Sequence, residues 1–312
     1  MSINSRPVLA PADSIVTSVA QRRAAVVDVI RNARRDISLS LFRCNDPEIF
    51  GELERATARG VSVNVLVTPR AKGGARKRRK LWNALEQTGA TIQVYAHPLV
   101  KYHAKYLVAD DGPAVIASFN FTRKCFERTC DAFVLTHDPD VVSGLRALIV
   151  ADRDGRPMPP SLTPRLIVGP ERSRRRITAL IERARSSIRV IDAKLSDPGL
   201  LRLLDARRRA GLAVEVFDSR RLGGLESHGK ILLIDDRIAV IGSLALASVS
   251  LDFRREVAIA VEEPDAVAQV ARLFRRIERL RTRCATLTTC QPHDTPAAAP
   301  IAIGGVRQEA LC

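Results

Sequence analysis

Long apolar runs are missing from this chain of 312 residues: none reaches 18 residues, so no membrane-spanning helix is expected. The opening stretch, MSINSRPVLAPADSIVTSVAQ, lacks the charged-then-apolar layout of an export signal, and a cytoplasmic protein, open to peripheral membrane attachment, is the expectation. Aromatic residues make up only 4%, which leaves few platforms for stacking single-stranded bases. The six cysteines (Cys44, Cys125, Cys130, Cys284, Cys290 and Cys312) form no CxxC pair and have no His at zinc-ligand spacing. Free thiols in a reducing compartment are therefore expected, with no metal and no cofactor. Acid is scarce too, 34 Asp and Glu against 50 Lys and Arg, for a net charge of +16. Arg outnumbers Lys by 42 to 8, and its planar fork suits phosphate, so an anionic partner is expected. What is plentiful is apolar residue, at 46% enough for a large core.

The rare His and Lys residues are arranged twice over. His103, Lys105 and Asp110 form His-x-Lys-x4-Asp, and His228, Lys230 and Asp235 repeat it 125 residues later. Ser118 and Ser243 each follow their His by 15 residues, and Asp131 and Glu256 each follow by 28. A register held this long marks a repeated structural unit, and two matched motifs suggest one site built from two halves.

Each half opens with a helical pattern running into a strand, Ala25 to Phe42 and Ile177 to Leu195. A second helix and strand follow, PEIFGELERATARGVSVNVLVT and PGLLRLLDARRRAGLAVEVFD, with Gly60 and Gly211 placed to end the helices. These segments align at an offset of 151, not 125, which leaves 26 extra residues in the first half and places an insertion at about 70–97. It begins with the basic run RAKGGARKRRK, read as a solvated loop able to hold phosphate or an anionic membrane, and continues as the more helical LWNALEQTG. Strand, tight turn and strand are expected after each His, with Asp-Asp-Gly-Pro and Asp-Asp-Arg as the turns. The first lobe is thus expected over 1–155, a Pro-rich linker over 156–170, the second lobe over 171–283 and a flexible tail over 284–312. A chain holding both motifs has no need of a dimer to complete its site, and a monomer is expected.

On a strand, residues i and i+2 share a face, which would set each imidazole beside an ammonium. Two such pairs match the charge of a phosphodiester: one neutral imidazole attacks phosphorus, the other, protonated, donates to the leaving oxygen. Lys105 and Lys230 would stabilise the non-bridging oxygens, so the chemistry requires no metal. Ser118, Ser243 and Asn120 add donors for the phosphate, while Asp131 and Glu256 can each hold an imidazole nitrogen and fix its tautomer. Asp110 and Asp235 complete the motif, but an Asp just before a turn has a structural use, and that role is favoured for them.

With paired HxKxxxxD motifs, a GSxN-like element and a downstream acid, the chain resembles the phospholipase D superfamily over roughly residues 20–283. The resemblance implies an α/β fold of two pseudo-symmetric lobes, each a mixed β-sheet flanked by helices, with the active site at their interface. It also implies a metal-independent reaction through a phosphohistidine, with His103 as nucleophile and His228 as acid. Lys105, Lys230, Ser118, Asn120 and Ser243 would bind the phosphate, and Glu256 would orient a catalytic His. Three positions depart from the pattern: Ala245 replaces the second Asn, Ala117 replaces the first Gly, and Asp131 is shorter than the usual Glu. A phosphodiesterase or phosphatidyltransferase acting on phospholipids, of the phospholipase D and cardiolipin synthase type, is the leading expectation, with an anionic membrane surface as partner. A nuclease of the same chemistry on DNA or RNA is the alternative. A non-catalytic module that binds anionic membranes or nucleic acid is the second, motivated by Ala245 and the RKRRK run.

Overall fold

The computed structural model describes residues 12–69, 74–219, 221–222 and 224–288. The first lobe opens with β1 (Asp13–Val16), α1 (Val19–Asn32), β2 (Asp36–Leu41), α2 (Pro47–Ala58) and β3 (Ser62–Val67). There follow α3 (Gly74–Gln87), β4 (Thr91–Val94), β5 (Lys101–Tyr102), β6 (Tyr106–Ala109) and β7 (Ala114–Ala117). It closes with α4 (Arg123–Glu127), β8 (Thr129–Cys130), β9 (Phe133–Thr136) and α5 (Pro139–Arg153). The second lobe comprises β10 (Leu166–Val168), α6 (Ser173–Glu182), β11 (Ser187–Ile191), α7 (Pro198–Arg209) and β12 (Ala213–Phe217). It continues through β13 (Arg221–Leu222), β14 (Leu225–Ser227), β15 (Ile231–Ile234) and β16 (Ile238–Gly242). Its last elements are α8 (Ser248–Phe253), β17 (Arg254–Arg255), β18 (Val257–Val261) and α9 (Pro264–Thr288).

The two large sheets match strand for strand. The first runs β1-β9-β7-β6-β2-β3-β4 and the second β10-β18-β16-β15-β11-β12, so β4 is the one strand without a counterpart. That strand belongs to the insertion and extends the sheet parallel to β3. Here the structure corrects the sequence reading: the described part of the basic run is helix α3, not a loop, and residues 70–73 lie outside the described residues. The stretch read as a linker contains β10, which pairs with β18 and so belongs to the second sheet. Helix α9 runs into the stretch read as a tail, whose remainder from 289 lies outside the described residues.

Alternation places both faces of the central strands in apolar surroundings. In β6, Tyr106 and Val108 join the core between the lobes, while Leu107 and Ala109 face α1 and α2 in the first lobe's outer core. In β15, Ile231 and Leu233 face the shared core, and Leu232 and Ile234 the second lobe's outer core. The sheets meet along β7, β16 and β18. Helix α9, through Val270, Phe274 and Ile277, adds to the shared core and packs against β1 of the other lobe. Burying both lobes in one core makes their relative position a property of the fold.

Local signals repeat at the 151-residue offset. Asp46 accepts from the N–H groups of Glu48 and Ile49 to cap α2, Asp197 accepts from Leu200 to cap α7, and a Pro follows each. Gly60 and Gly211 adopt φ of 85° and 92°, the left-handed geometry that ends a helix cheaply only at Gly. Gly242 is required for another reason: a Cβ there would lie 2.3 Å from both Ala258 Cα and Val257 O across the sheet.

Candidate active site

Four two- or three-residue strands carry the site, and they cross between lobes. β5, just ahead of His103, pairs in parallel with β17, just ahead of Glu256. β14, just ahead of His228, pairs in parallel with β8, just ahead of Asp131. Each pairing delivers the His of one half to the acid of the other. His103 Nδ1 lies 2.8 and 2.9 Å from the Glu256 carboxylate oxygens, and His228 Nδ1 lies 3.1 Å from both oxygens of Asp131. With Nδ1–H donating to a carboxylate, Nε2 of each ring is left for chemistry, as a lone pair on a neutral imidazole or as a proton donor on an imidazolium. Gly229 permits the second pairing, since a Cβ there would fall 2.6 Å from Cys130 O.

The His-x-Lys segments are links between strands, not parts of one, which corrects the expectation of a shared strand face. Each Lys instead folds back onto its own His. Lys105 Nζ donates to His103 O, and Lys230 Nζ donates to His228 O at 2.6 Å. Both lysines are buried, yet among the described residues neither forms a salt bridge with a carboxylate. Burial, with Lys230 and Lys194 close by, pushes Lys105 well below its ordinary value. A buried, unpaired ammonium is costly, so the site is electrostatically incomplete without an anion.

The acids are the most enclosed groups of the site. Burial alone would raise Glu256, but His103, Lys105 and Ser243 together hold it below the ordinary carboxylate value. Ser250 donates to Glu256 Oε1 at 2.9 Å. For Asp131, burial is likewise outweighed by His228, Lys230 and Thr129. Ser118 and Thr129 donate to its two oxygens at 2.7 and 2.6 Å. Ser118 is thereby engaged in holding Asp131, while Ser243 bridges to the backbone of Val257. Asn120 is buried with its Oδ1 unpartnered.

Burial pushes His103 down to about 3, against the opposing pull of Glu256, and keeps it a neutral imidazole. The shift fixes a sign. Below the free-imidazole value of about 6.5 the unfolded chain takes up a proton that folded His103 refuses, so stability falls as pH drops from there towards 3. Above that window His103 contributes nothing to the pH dependence. If His103 is the attacking base, the acid limb of kcat/KM should lie below about pH 5. An acid limb near 6.5 in a pH–rate profile would contradict a buried neutral His103.

Asp110 and Asp235 lie at the far ends of β6 and β15 from the imidazoles and take no part in the cleft, a correction to their inclusion with the catalytic motif. Asp110 accepts from the backbone N–H groups of Arg34, Arg35 and Asp36, and Asp235 from those of Arg185, Ser186 and Ser187. They tie the helix-to-strand turns to the hairpins.

Sequence spacing did not single out several neighbours of the site. Lys194 is lowered by burial and by nearby Lys230 and Arg254, which places a third ammonium at the cleft. Its counterpart at the 151-residue offset, Arg43, lies over Phe42, whose ring packs edge-on to His103 at 4.5 Å between centroids. That shared offset is the signal that would have found them. Buried Arg22 donates to the carbonyls of Thr129 and Asp131, and buried Arg255 to Asp152 of the opposite lobe and to Glu171. Each pins the segment leading to one acid.

Cys125, Asp131 and His228 offer ligand atoms within 4.8 Å of one another, the one such group among the described residues. Burial raises the Cys125 thiol and keeps it protonated, and Lys230 nearby further disfavours a cation. Beside the cleft, a groove of about 690 Å³ runs between the first sheet and α3. Phe42, Phe50, Leu81 and Trp82 form its walls, and Arg43, Arg76, Arg78, Lys80 and Lys124 its rim. No helix among the described residues is long and apolar enough to cross a membrane.

Known proteins resemble the chain in sequence and in shape. The chain is 28% identical to polyphosphate kinases of Mycolicibacterium paratuberculosis and Mycobacterium avium, over 88% of its own length and 42% of theirs. It spans less than half the length of these curated relatives. The crystal structure of polyphosphate kinase from Porphyromonas gingivalis superposes with a TM-score of 0.68 at 20% identity, covering 85% of this chain and 50% of that one. Phosphatidylserine synthase of Haemophilus influenzae superposes at 0.66 and 13% identity, covering 89% and 93%. The family model described as "Cardiolipin synthase, PLD-like domain" matches residues 26–152 and again 176–278. With both halves matched, the chain belongs to that family, within the phospholipase D superfamily of phosphodiesterases and phosphotransferases.

Proposed function

We propose that this protein is a metal-independent phosphodiesterase or phosphatidyltransferase acting on phospholipids. The observation that carries the reaction type is the pair of crossed His–acid contacts beside two buried, unpaired lysines. Nε2 of His103 attacks phosphorus while Nε2 of His228 gives its proton to the departing alkoxide, which leaves as an alcohol. A phosphohistidine remains on His103. His228 then takes a proton from water or an acceptor alcohol, whose oxygen attacks phosphorus and expels His103 as neutral imidazole. Lys105 and Lys230 hold the non-bridging oxygens throughout.

The groove at Phe42 supports an amphiphilic substrate, since its apolar walls would be wasted on an inorganic phosphate chain. The likeness to polyphosphate kinases favours a second reading, phosphoryl transfer to or from polyphosphate. The deciding assay supplies EDTA-treated protein with phosphatidylglycerol or phosphatidylcholine, with and without glycerol. Parallel reactions contain polyphosphate with ADP, or duplex and single-stranded DNA and RNA. Head-group release or exchange in EDTA supports the proposal. Turnover of polyphosphate or nucleic acid with intact phospholipid overturns it.

A further inference from the structure

Five large apolar side chains are exposed among the described residues, and three of them, Leu99, Val249 and Phe253, lie on the two segments that lead into the β5–β17 strand pair. Leu99 is 85% exposed, Phe253 63% and Val249 51%. Val249 and Phe253 lie four residues apart on α8 and so share one face of it. Leu99 comes from the other lobe. The parallel pairing of β5 with β17 sets Lys101 opposite Arg254, so that Phe253, just ahead of Arg254, falls beside Val100, and Leu99 is one residue further along the same approach. This strand pair is the one that delivers His103 and Glu256, so the exposed apolar residues lie on the approach to the catalytic pair.

Its unpaired charges are of one sign. Lys101 and Arg254 face each other directly across the pair, an arrangement that like charges disfavour, and among the described residues neither has an acidic partner. The positive charge of Lys194 is felt at the same place, while Asp252, the nearest acid in sequence, is held by Arg174. Exposed apolar side chains ringed by unpaired cations complement one surface in particular, an anionic bilayer, which takes apolar groups into its acyl region and cations at its phosphates.

We propose that Leu99, Val249 and Phe253 are an insertion knob that seats the cleft mouth on an anionic phospholipid bilayer. The choice of occupant rests on the phospholipid reading above. Both lobes contribute to the knob, so it can exist only when the crossed strands that build the active site are in place. Seating it would leave His103 facing head groups at the membrane surface.

The test uses the full chain and its L99D/F253D variant. Binding is measured by sedimentation with phosphatidylcholine vesicles with and without phosphatidylglycerol. Turnover is measured on the same vesicles and on dibutyroyl phosphatidylglycerol dissolved as monomers. Wild type should bind the anionic vesicles, and the variant should bind them about 100-fold more weakly, as expected for removing two inserted apolar side chains. Vesicle turnover should fall in step, while turnover of the soluble lipid stays within about twofold. Wild type that fails to bind vesicles, or a variant that binds them equally well, overturns the knob and leaves the cluster to a protein partner. A parallel loss of soluble-lipid turnover also overturns it, because the residues would then be acting inside the site. Knob-dependent binding without turnover of either lipid would leave the knob standing and sink the phospholipid reading.

Discussion

Replacing His103 by Ala should abolish turnover, with kcat falling about 10⁵-fold, because the covalent intermediate forms on that imidazole and Ala offers no nucleophile in its place. His228→Ala should cost less, about 10³-fold, since a buried cleft without its proton donor still holds the nucleophile and the lysines. The two losses also differ in kind. A substrate with a good leaving group, such as a p-nitrophenyl phosphodiester, needs little protonation as its bond breaks, so it should restore much of the first half-reaction to His228→Ala and none to His103→Ala. Burst kinetics with that substrate check the assignment. Rescue of His103→Ala would reverse the roles of the two halves. Equal and complete loss in both, even with the activated substrate, would remove the division of labour. The unequal environments support the order given: His103 is the more enclosed ring, pressed against Phe42 and held neutral by burial.

Arg22→Met should produce the largest loss of stability outside the cleft. The guanidinium is fully buried and donates to four carbonyls, those of Cys125, Thr129, Thr17 and Asp131, at 3.2, 2.7, 3.0 and 2.6 Å. Methionine fills much of the volume but leaves those acceptors without a donor, a cost of about 4 kcal/mol and a fall in Tm of about 10 °C. Activity should suffer as well, because the carbonyls belong to the turn and strand that carry Asp131 to His228. Arg22→Lys keeps the charge but not the fork, and should recover only part of either loss. Thermal melts read beside kcat at a temperature where all variants are folded separate the two effects. A Met variant with wild-type Tm would show that the carbonyls find other donors.

Much of the fold is legible in the sequence because it repeats. Apolar patterns, caps and glycines recur at an offset of 151 and the chemistry at 125, and the difference between the two offsets locates the insertion. Inside the insertion the pattern fails. Seven cations within eleven residues read as a solvated run, yet α3 needs only the narrow face of Leu81, Trp82 and Leu85 to dock on the first lobe. The edge strand β4 has four residues and intermediate or exposed positions throughout, too short a stretch for alternation to show.

The catalytic residues are legible by type and spacing, but not their pairing. A spacing of 28 residues in each half names Asp131 and Glu256 without saying which imidazole either will meet. That choice is made by β5, β8, β14 and β17, strands of two or three residues that have no periodicity of their own and pair only across the lobes. Arg22 and Ser250 escape notice for a related reason: one buried Arg or Ser has no pattern, and its importance comes from the carbonyl or carboxylate that folding brings beside it.

Crossing of the halves is the central claim, and the nitrogen NMR spectrum of the imidazoles tests it without a substrate. In protein labelled with ¹⁵N at histidine, His103 should appear as the neutral tautomer with its proton on Nδ1. Glu256→Gln should then move the His103 signals and leave those of His228 in place, and Asp131→Asn should do the reverse. A spectrum in which Glu256→Gln shifts His228, the histidine of its own half, while His103 stays unmoved would contradict the account.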